Sequence, residues 1–439
     1  MNLREEALSI IIKVIKNNMF SDKLLSQSVK KLKHSAENPD LMYVLVKGVV
    51  KMKENLDFIA RQFTNPDKFK NTDIRVKCLL YMAFYQLIHC DSIPDHAAVN
   101  ESVELAKKMF GEPVANFVNA VLREYQRNPI IKYPDDSVER IAYEHSYPVE
   151  IVEQWLKRMP EDQVEYLAMY YNEPPKLFLR VNQLATSKNK LIAYFAKKNV
   201  NLVETLACKN MLISEQASEI LNDVTFDEGY FTIQDISAAM VIDLMDPKEG
   251  ENILDLFAGR GGKAGYIAEL MKNTGEVVAV DKIPNKIKEM KQTLERLGVN
   301  NFKLIAEDAF KFGPVAPAYD KVLIDVPCSG WGVFQKKAEL RWQSKQNIPE
   351  LLKLQEKALQ TAAQFVKPGG FLIYSTCTIN DDENELQVEK FLKQNPAFSL
   401  IDAADYIPLD YTKNRFLKTI PHIHHVDGAF AAKMRKNDN

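Results

Sequence analysis

The stretch that decides the fold of this chain is Ile253–Lys263, which reads ILDLFAGRGGK. Its first residues form a short apolar run that is typical of a buried strand, and the glycines that follow interrupt this run before a helical pattern begins. Glycines at such a strand-to-helix turn let the backbone approach a ligand, and the first amide groups of the helix point toward that ligand. The stretch therefore predicts a nucleotide-type cofactor site at the end of a strand.

Downstream of this stretch, strand-like runs alternate with helical stretches as far as residue 374. This alternation predicts an α/β domain with a doubly wound, Rossmann-like parallel sheet. The predicted strands are Ile253–Phe257, Val277–Asp281, Phe302–Ala306, Lys321–Asp325 and Gly370–Tyr374, the last of them after a turn at Lys367-Pro368-Gly369, and a final strand is predicted at Gly428–Lys433.

Two carboxylates follow the glycine loop at positions that suit a cofactor containing a ribose and an adenine. Asp281 ends the second strand, where it can accept hydrogen bonds from ribose hydroxyls, and Asp308 ends the third, where it can bind an adenine amino group. Both positions serve NAD and S-adenosylmethionine (AdoMet) equally well. The candidate cofactor-binding residues are Phe257, Ala258, Gly259, Arg260, Gly261, Gly262, Lys263, Asp281, Asp308 and Asp325.

Two cysteine-bearing strings follow the fourth and fifth of these strands. One is Asp325–Gly330, which reads DVPCSG and contains Cys328, and the other is Ser375-Thr376-Cys377. Because ligands of such sheets bind outside the carboxyl ends of the strands, both thiols and Asp325 are expected to face one site. The alternative is a pair of buried structural cysteines, since free cysteine is often buried.

The cysteines favour AdoMet over NAD as the cofactor. A dehydrogenase needs a hydride-acceptor site, typically with histidine or lysine acid–base chemistry, whereas the later strands offer Asp325 with two thiols. C5 of cytosine is not nucleophilic until a thiolate adds at C6, so a methyltransferase acting on that carbon needs such a set. The residues alone do not decide which cysteine is the nucleophile.

The rest of the chain predicts two further regions. Residues 1–130 show helical spacing and predict a compact all-helical domain, residues 131–236 predict a connecting α+β region, and the α/β domain then spans 237–439. The five cysteines are scattered and odd in number, which favours a reducing cytoplasm over a disulfide framework. The net charge of −2 does not mark the chain as a nucleic-acid binder, and no apolar run approaches the ~20 residues of a membrane helix. A cytoplasmic protein is expected, and a monomer is favoured although the sequence does not decide the oligomeric state.

These motifs resemble those of the RNA (cytosine-5) methyltransferase superfamily, and most of all its bacterial 16S rRNA enzymes of the RsmB/Sun/Fmu type. Asp325–Gly330 resembles the Asp-Ala-Pro-Cys-Ser-Gly motif of the family, and Ser375-Thr376-Cys377, followed by Glu383–Glu385, resembles its second cysteine motif. The helical start resembles NusB-like RNA-binding domains, notably at residues 100–106 and 117–123.

The resemblance implies an AdoMet-dependent methyltransferase with RNA, 16S rRNA in particular, as its substrate and partner. It implies that Cys377 attacks C6 of the cytosine, that Cys328 aids release, and that Asp325 binds the N3/N4 edge of the base. Lys263 could supply positive potential to a thiolate, or it could be an ordinary surface residue of its helix. The alternative function is a non-catalytic RNA-binding or ribosome-assembly protein that retains a methyltransferase fold.

The chain departs from the family pattern in two places. Arg260 stands where the family loop has proline, which removes a fixed φ and adds a charge near the cofactor. Phe334–Trp342 replaces the usual Arg-Arg-His-Pro-Asp, and its residues Lys336, Lys337 and Arg341 are expected to keep positive charge for contact with RNA.

Three histidines near the end of the chain, His422, His424 and His425, could suggest a metal site. They lie without a nearby cysteine or a spaced pair of acidic residues, so a surface loop is the favoured interpretation. No metal is therefore expected.

Overall fold

The computed structural model describes residues 3–32, 39–313, 319–342 and 347–438, with the side chains of residues 31 and 32 outside the described part. The chain divides into two compact units. Unit 1 comprises Met1–Glu173 with Lys336–Lys345, and unit 2 comprises Pro174–Gln335 with Gln346–Asn439. Within the described ranges, no helix is long and apolar enough to cross a membrane.

Unit 1 is built from helices around a central one, Ile74–His89, which is buried on most of its circumference. This helix begins after Asp73, whose side chain accepts a hydrogen bond from the Arg75 amide. The helices described in unit 1 are α1 (Leu3–Asn17), α2 (Ser21–Leu32), α3 (Asp40–Lys51), α4 (Lys53–Gln62), α5 (Pro66–Lys70), α6 (Ile74–His89), α7 (Asp95–Phe110), α8 (Glu112–Arg127), α9 (Ser137–His145), α10 (Val149–Leu156) and α11 (Glu161–Tyr170), with a 3-10 turn at Ala338–Arg341.

The compact part of unit 1 continues beyond residue 130. Asn55 of α4 donates its side-chain amide to the Tyr133 hydroxyl at 2.8 Å and to the Tyr143 carbonyl at 3.0 Å. These bonds tie α4 to the segment that follows residue 130, and the unit extends to Glu173. The domain limits at 130 and 236 stay predictions from the sequence.

The surroundings of Arg341 correct one expectation from the sequence. Arg341 is fully buried in unit 1, where it donates to the Asn172 side-chain oxygen at 2.9 Å and to the Tyr171 carbonyl at 3.2 Å. Its guanidinium also lies 4.1 Å from the centroid of the Tyr147 ring. The expected contact of Arg341 with RNA is therefore wrong, because a buried guanidinium that binds protein acceptors cannot reach a phosphate.

Unit 2 begins with a small antiparallel sheet whose strands lie in the order β2-β3-β1-β4. Its inner face buries Leu179, Leu212 and Phe231 against Phe195 of a flanking helix. The elements are β1 (Leu177–Val181), α12 (Lys188–Ala196), β2 (Val203–Glu204), β3 (Met211–Ser214), α13 (Ala217–Leu221), α14 (Val224–Asp227) and β4 (Phe231–Ile233).

The larger sheet of unit 2 confirms the predicted Rossmann-like α/β fold. Its described strands lie in the order β11-β12-β13-β9-β8-β5-β6-β7, with β10 beside β13. Strands β5 to β9 are parallel, whereas β13 runs antiparallel to β9. The elements are α15 (Ile236–Met245), β5 (Asn252–Asp255), α16 (Gly262–Leu270), β6 (Glu276–Asp281), α17 (Pro284–Arg296), β7 (Phe302–Ala306), β8 (Tyr319–Asp325), α18 (Ile348–Ala363), β9 (Val366–Thr376), α19 (Glu385–Gln394), β10 (Phe398–Ile401), β11 (Thr412–Lys413), β12 (Phe416–Lys418), α20 (Pro421–His424) and β13 (Phe430–Lys436).

Strand β9 begins earlier than the sequence predicts. The expected turn at Lys367-Pro368-Gly369 lies inside the strand, and the pairing of β8 with β9 shifts register between Tyr319 and Lys321. Gly369 has φ 72°, a left-handed conformation that glycine adopts without a steric penalty. The turn signal therefore marks an irregularity of the β-bulge kind rather than the end of the preceding element.

Strand β13 carries a buried lysine whose charge opposes folding at neutral pH. Lys433 is 2% exposed, and its ammonium lies 3.5 Å from the Tyr406 ring centroid and 4.9 Å from that of Phe371. Burial, reinforced by the nearby Lys321 ammonium, lowers the pKa of Lys433 to about 7. Since the ordinary pKa is about 10.4, the unfolded chain binds more protons than the folded one between these values.

The free energy of unfolding is therefore expected to gain a contribution from Lys433 that grows as the pH rises from about 7 to about 10. Urea unfolding of the wild type and of Lys433→Met across this range should show a smaller rise in the variant. Lys393→Met, at an exposed position of α19, is the control and should keep the wild-type dependence. Identical pH dependence in the wild type and Lys433→Met would contradict the expected titration.

Candidate active site

The glycine loop joins β5 to α16 and depends on two residues with left-handed backbone. Gly259 has φ 59° and Gly261 has φ 81°. A Cβ on Gly261 would lie 2.3 Å from Met290 Cγ, so a side chain there would force the loop and α17 apart. The Gly259 amide donates to Asp281 Oδ2 at 3.1 Å, which links the loop to the end of β6.

The two carboxylates predicted to bind the cofactor both lie at the carboxyl ends of strands of the larger sheet. Asp281 ends β6, and its Oδ1 accepts a hydrogen bond from the Ile283 amide at 2.9 Å. Asp308 follows the end of β7, and its Oδ1 accepts from the Phe310 amide at 3.0 Å. These bonds hold both carboxylates in place, while their roles toward ribose and adenine stay predictions.

Arg260, the residue that replaces the family proline, forms an exposed ion pair with α17. Its side chain is 77% exposed, and its Nε lies 2.6 Å from Glu289 Oε2 in α17. The added charge near the cofactor, expected from the sequence, is therefore compensated by a neighbouring carboxylate.

Asp255, the last residue of β5, is a residue to which the sequence assigned no role. It is 1% exposed, and neither carboxylate oxygen has a side-chain hydrogen-bond partner among the described residues, although the Phe257 backbone lies close enough to lower its pKa. Burial and the Asp325 carboxylate raise the pKa of Asp255 to about 7, against the opposing effect of Lys263. A buried carboxylate without a side-chain partner beside a glycine loop is suited to a cationic ligand.

Lys263 and Asp325 form an ion pair at the centre of this edge. Asp325 Oδ2 accepts from Lys263 Nζ at 2.6 Å, and Oδ1 accepts from Ser375 Oγ at 2.6 Å. Burial alone would lower the pKa of Lys263, but the Asp325 carboxylate, with smaller effects of Cys377 and Asp255, raises it above its ordinary value. Lys263 is thus a half-buried cation of the site, paired with Asp325, and not a freely exposed residue of α16.

The two cysteines meet at the ends of β8 and β9. Their sulfur atoms lie 3.3 Å apart, and the Cys377 amide lies 3.3 Å from Cys328 Sγ, to which it donates. Both cysteines are half-buried, whereas Cys78, Cys90 and Cys208 are buried elsewhere. The hydrogen bond with Cys377, together with burial, raises the pKa of the Cys328 thiol well above its ordinary value.

A buried arginine in the small sheet of unit 2 contacts the glycine loop at the start of α16. Arg180 of β1 donates through Nη1 to the Gly262 carbonyl at 2.7 Å and to the Gln234 side chain, and through Nη2 to Glu269 at 2.6 Å. The first turn of α16 is thereby fixed to the small sheet of unit 2. Because these partners lie 54 to 89 positions away along the chain, no local sequence pattern predicts this role of Arg180.

The three histidines lie in the short helix α20 and at its C-terminal end. His424 Nδ1 accepts from the Ile420 amide at 2.7 Å and so closes the turn that contains it. Burial lowers the pKa of both His422 and His424. The cluster with metal-ligand spacing among the described residues is instead Glu144, His145 and Glu165.

An arginine already occupies that cluster. Arg140 binds both oxygens of Glu165, at 2.8 Å and 3.0 Å. A guanidinium that neutralises the carboxylate competes with any cation, so the cluster is an ion-pair network on unit 1.

The comparisons with known proteins cover the whole chain. Residues 242–435 match the family model for 16S rRNA methyltransferase RsmB/F, and residues 1–127 match that of the NusB family. A protein of Bacillus subtilis (strain 168), named "Probable ribosomal RNA small subunit methyltransferase B", is 33% identical over 450 residues, with 99% of each chain covered. One of Synechocystis sp. with the same name is 32% identical, again with 99% of each chain covered.

A solved structure agrees with these matches over both regions. That of PH0851 has a TM-score of 0.83 at 25% identity, and the match covers 98% of this chain and 99% of that one. The resemblance found from the cysteine motifs, the glycine loop and the helical start is thus confirmed. This chain belongs to the RsmB/F family of 16S rRNA methyltransferases, with a NusB-family region at its N-terminus.

Proposed function

We propose that this protein transfers a methyl group from AdoMet to C5 of a cytosine in 16S rRNA through a covalent adduct between Cys377 and C6. The observation that carries the proposal is the pair of thiols 3.3 Å apart, beside the Lys263–Asp325 ion pair at the carboxyl edge of the sheet. The relatives named as small-subunit rRNA methyltransferases support the substrate class.

The residues at this edge fit AdoMet. A Cβ on Gly259 would meet nothing nearer than the Phe257 carbonyl at 4.0 Å, so the loop 257–263 leaves room for a ligand beside it. The carboxylate of Asp255, which has no side-chain partner among the described residues, complements the positive sulfonium and ammonium groups of AdoMet. Asp281 would bind the ribose hydroxyls and Asp308 the adenine amino group. When bound, AdoMet supplies an electrophilic methyl group.

The protein groups then activate the cytosine. Cys377 Sγ forms a bond to C6, and electron density moves onto the N3 edge of the ring. Asp325 accepts from the N4 amino group, and the positive charge of Lys263, paired with Asp325, offsets the negative charge that develops at N3. After C5 is methylated, it loses its proton to water, the C5–C6 double bond re-forms, and the bond to Cys377 breaks, with Cys328 beside the departing sulfur.

Unit 1 is the proposed contact for the RNA around the target base, because it contains the NusB-family region. Of the lysines expected to contact RNA, Lys337 is exposed and Lys336 is half-buried. The base itself must leave its stack to reach Cys377, at a free-energy cost of a few kcal/mol that is smallest in a loop or single strand. A cytoplasmic location and a monomeric state stay predictions.

The direct test is transfer of a tritiated methyl group from AdoMet to 16S rRNA by the purified full chain. We expect label in the rRNA, and bisulfite sequencing should place it at C5 of one cytosine. RNA binding without any methyl transfer, under conditions in which AdoMet binds, would instead support the non-catalytic RNA-binding or assembly protein.

The titration of Asp255 predicts how AdoMet binding depends on pH. Because the ionised form complements the cationic ligand, affinity should be high above the pKa of about 7 and fall as the pH drops through it. We expect calorimetry to show a loss on the order of tenfold between about pH 8 and about pH 6, or about 1.4 kcal/mol.

Two variants separate this effect from general acid sensitivity. Asp255→Asn should bind AdoMet weakly at every pH, without the fall near neutrality. Asp243→Asn is the matched control, since Asp243 is another carboxyl whose pKa burial raises, but it binds Cys208 and Tyr266 away from the loop. A pH-dependent fall that persists in Asp255→Asn would assign the titration to another group.

A further inference from the structure

Glu383 is a fully buried carboxylate that lies between the two cysteine loops. Its Oε2 accepts from the Ser329 amide, next to Cys328, at 2.9 Å, and from Gln355 Nε2 at 3.0 Å. Its Oε1 accepts from Asn380 Nδ2, in the loop after Cys377, at 3.0 Å. One side chain therefore joins the loop that follows β8 to the loop that follows β9.

Neighbouring bonds strengthen this connection. The Tyr374 hydroxyl donates to the Glu383 carbonyl at 2.5 Å, and Gln355 Nε2 also donates to the Pro327 carbonyl at 3.1 Å. The hydroxyls of Ser329 and Thr378 lie 2.7 Å apart, which bridges the same two loops directly. The distance between the sulfur atoms is thus set by a buried network rather than by the strand ends alone.

The charged groups around the two thiols are distributed unequally. Glu383 adds to the effects of Cys377 and burial in raising the pKa of the Cys328 thiol. Lys263, the cation of the site, interacts electrostatically with Cys377. This interaction contributes to the raised pKa of Lys263. Tyr374 is a further titratable neighbour of Cys328, and its pKa is raised by burial and by both Cys328 and Glu383, so it stays neutral. The surroundings therefore oppose a negative charge on Cys328, whereas the Lys263 cation acts on Cys377.

We propose that Glu383 is a positioning residue that ties the two cysteine loops together and keeps Cys328 in its thiol form, so that Cys328 donates its S–H to the sulfur of Cys377. This inference rests on the proposed function, because it explains why Cys377 is the nucleophile. During release, the bond between Cys377 and C6 breaks and its electron pair returns to the Cys377 sulfur. That sulfur then accepts a hydrogen bond from the Cys328 S–H. Cys328 forms no bond to RNA and gives up no proton.

The test is alkylation of the free protein by iodoacetamide across a range of pH, with mass spectrometry of the two cysteine peptides. In the wild type, Cys377 should react at lower pH than Cys328. In Glu383→Gln, the pH midpoint for Cys328 should fall by about one unit, the usual effect of removing a like charge nearby. Glu385→Gln is the control, since Glu385 pairs with Lys418 instead, and both midpoints should stay unchanged.

Glu383→Asp separates the effect of the negative charge from the effect of the side-chain length. It keeps the negative charge but shortens the side chain, so the Cys328 midpoint should stay high while kcat for methyl transfer falls and KM for AdoMet does not change. A merely structural role would raise the alkylation rates of both cysteines without moving either midpoint. That result, or a Cys328 midpoint that falls equally in Glu383→Asp, would overturn the inference.

Failure of this inference can be told apart from failure of the proposed function. Alkylation needs neither RNA nor AdoMet, so the midpoint shift is measured even if the wild type transfers no methyl group. Conversely, if the alkylation midpoint of Cys328 does not move in Glu383→Gln, Glu383 has no such role. Methyl transfer by the wild type would still support the cytosine mechanism in that case.

Discussion

Replacing Cys377 by alanine is expected to abolish methyl transfer and to remove any covalent complex with RNA. Without the Cys377 sulfur no bond to C6 forms, and C5 of the cytosine stays a poor nucleophile. The loss of kcat should be at least about 1000-fold, as for other nucleophiles that act within a catalytic unit. Tritiated methyl transfer to 16S rRNA measures the first effect, and a denaturing gel of labelled RNA with protein measures the second.

Replacing Cys328 by alanine should have the opposite effect on the covalent complex. The sulfur of Cys377 would still add to C6, but the thiol 3.3 Å away that assists its departure would be missing. RNA should therefore remain attached to the protein in a denaturing gel and be freed by proteinase. The double variant should form no complex, because the trapped state requires Cys377.

The thiol variants also test the interpretation as structural cysteines. Two structural cysteines would form no adduct in either single variant and would show only modest losses of stability. Trapping by Cys377→Ala instead would reverse the two roles while keeping the chemistry. Methyl transfer by the double variant would contradict the covalent mechanism altogether. Cys208→Ala, at a buried cysteine away from the sheet edge, is the matched control.

Arg341→Met is expected to destabilise unit 1 by more than about 3 kcal/mol. The side chain donates to the Asn172 and Tyr171 oxygens and also to the carbonyls of Lys51 and Ser146, each at 3.3 Å. Methionine fills much of the volume but removes the donor that Arg341 provides to each of these oxygens. Hydrogen–deuterium exchange of α3 and α11 amides measures the local loss in the full chain.

Two further variants define the cause of that loss. Arg341→Lys keeps the charge, but a single ammonium cannot reproduce the fork of the guanidinium, so most of the destabilisation should remain. Lys337→Met changes an exposed residue of the same segment and should alter stability by less than about 0.5 kcal/mol. Wild-type exchange rates in Arg341→Met would show that the buried bonds contribute little, and would reopen an RNA role for this residue.

The sequence motifs predicted the fold class because they are local. The glycine loop ILDLFAGRGGK, the strand–helix alternation after it and the helical spacing of residues 1–130 depend on residues close together along the chain. Steric freedom at Gly259 and Gly261, and burial of apolar strands, act over these short distances. The same locality placed Asp325, Cys328 and Cys377 at neighbouring strand ends.

The contacts that tune the candidate site were beyond the reach of sequence reasoning. Glu383 accepts from the Ser329 amide 54 positions away along the chain, and Asp255 is affected by the Asp325 carboxylate 70 positions away. No local sequence pattern reports such contacts or the loss of solvent that accompanies them. Lys263 was open to two interpretations for the same reason, since only its distance to Asp325 shows that it is paired within the site.

The sequence by itself determined which elements form and which residues lie at their ends, because backbone propensity and apolar periodicity are properties of neighbouring residues. The tertiary structure alone decided what those residues face. It buried Arg341 in unit 1, where its charge is out of reach of RNA. It also placed the sulfur atoms of Cys328 and Cys377 3.3 Å apart, with the Glu383 carboxylate bonded to both of their loops. Charge, burial and hydrogen bonding act between atoms that are close in space, and closeness in space is what folding adds to the order of the residues.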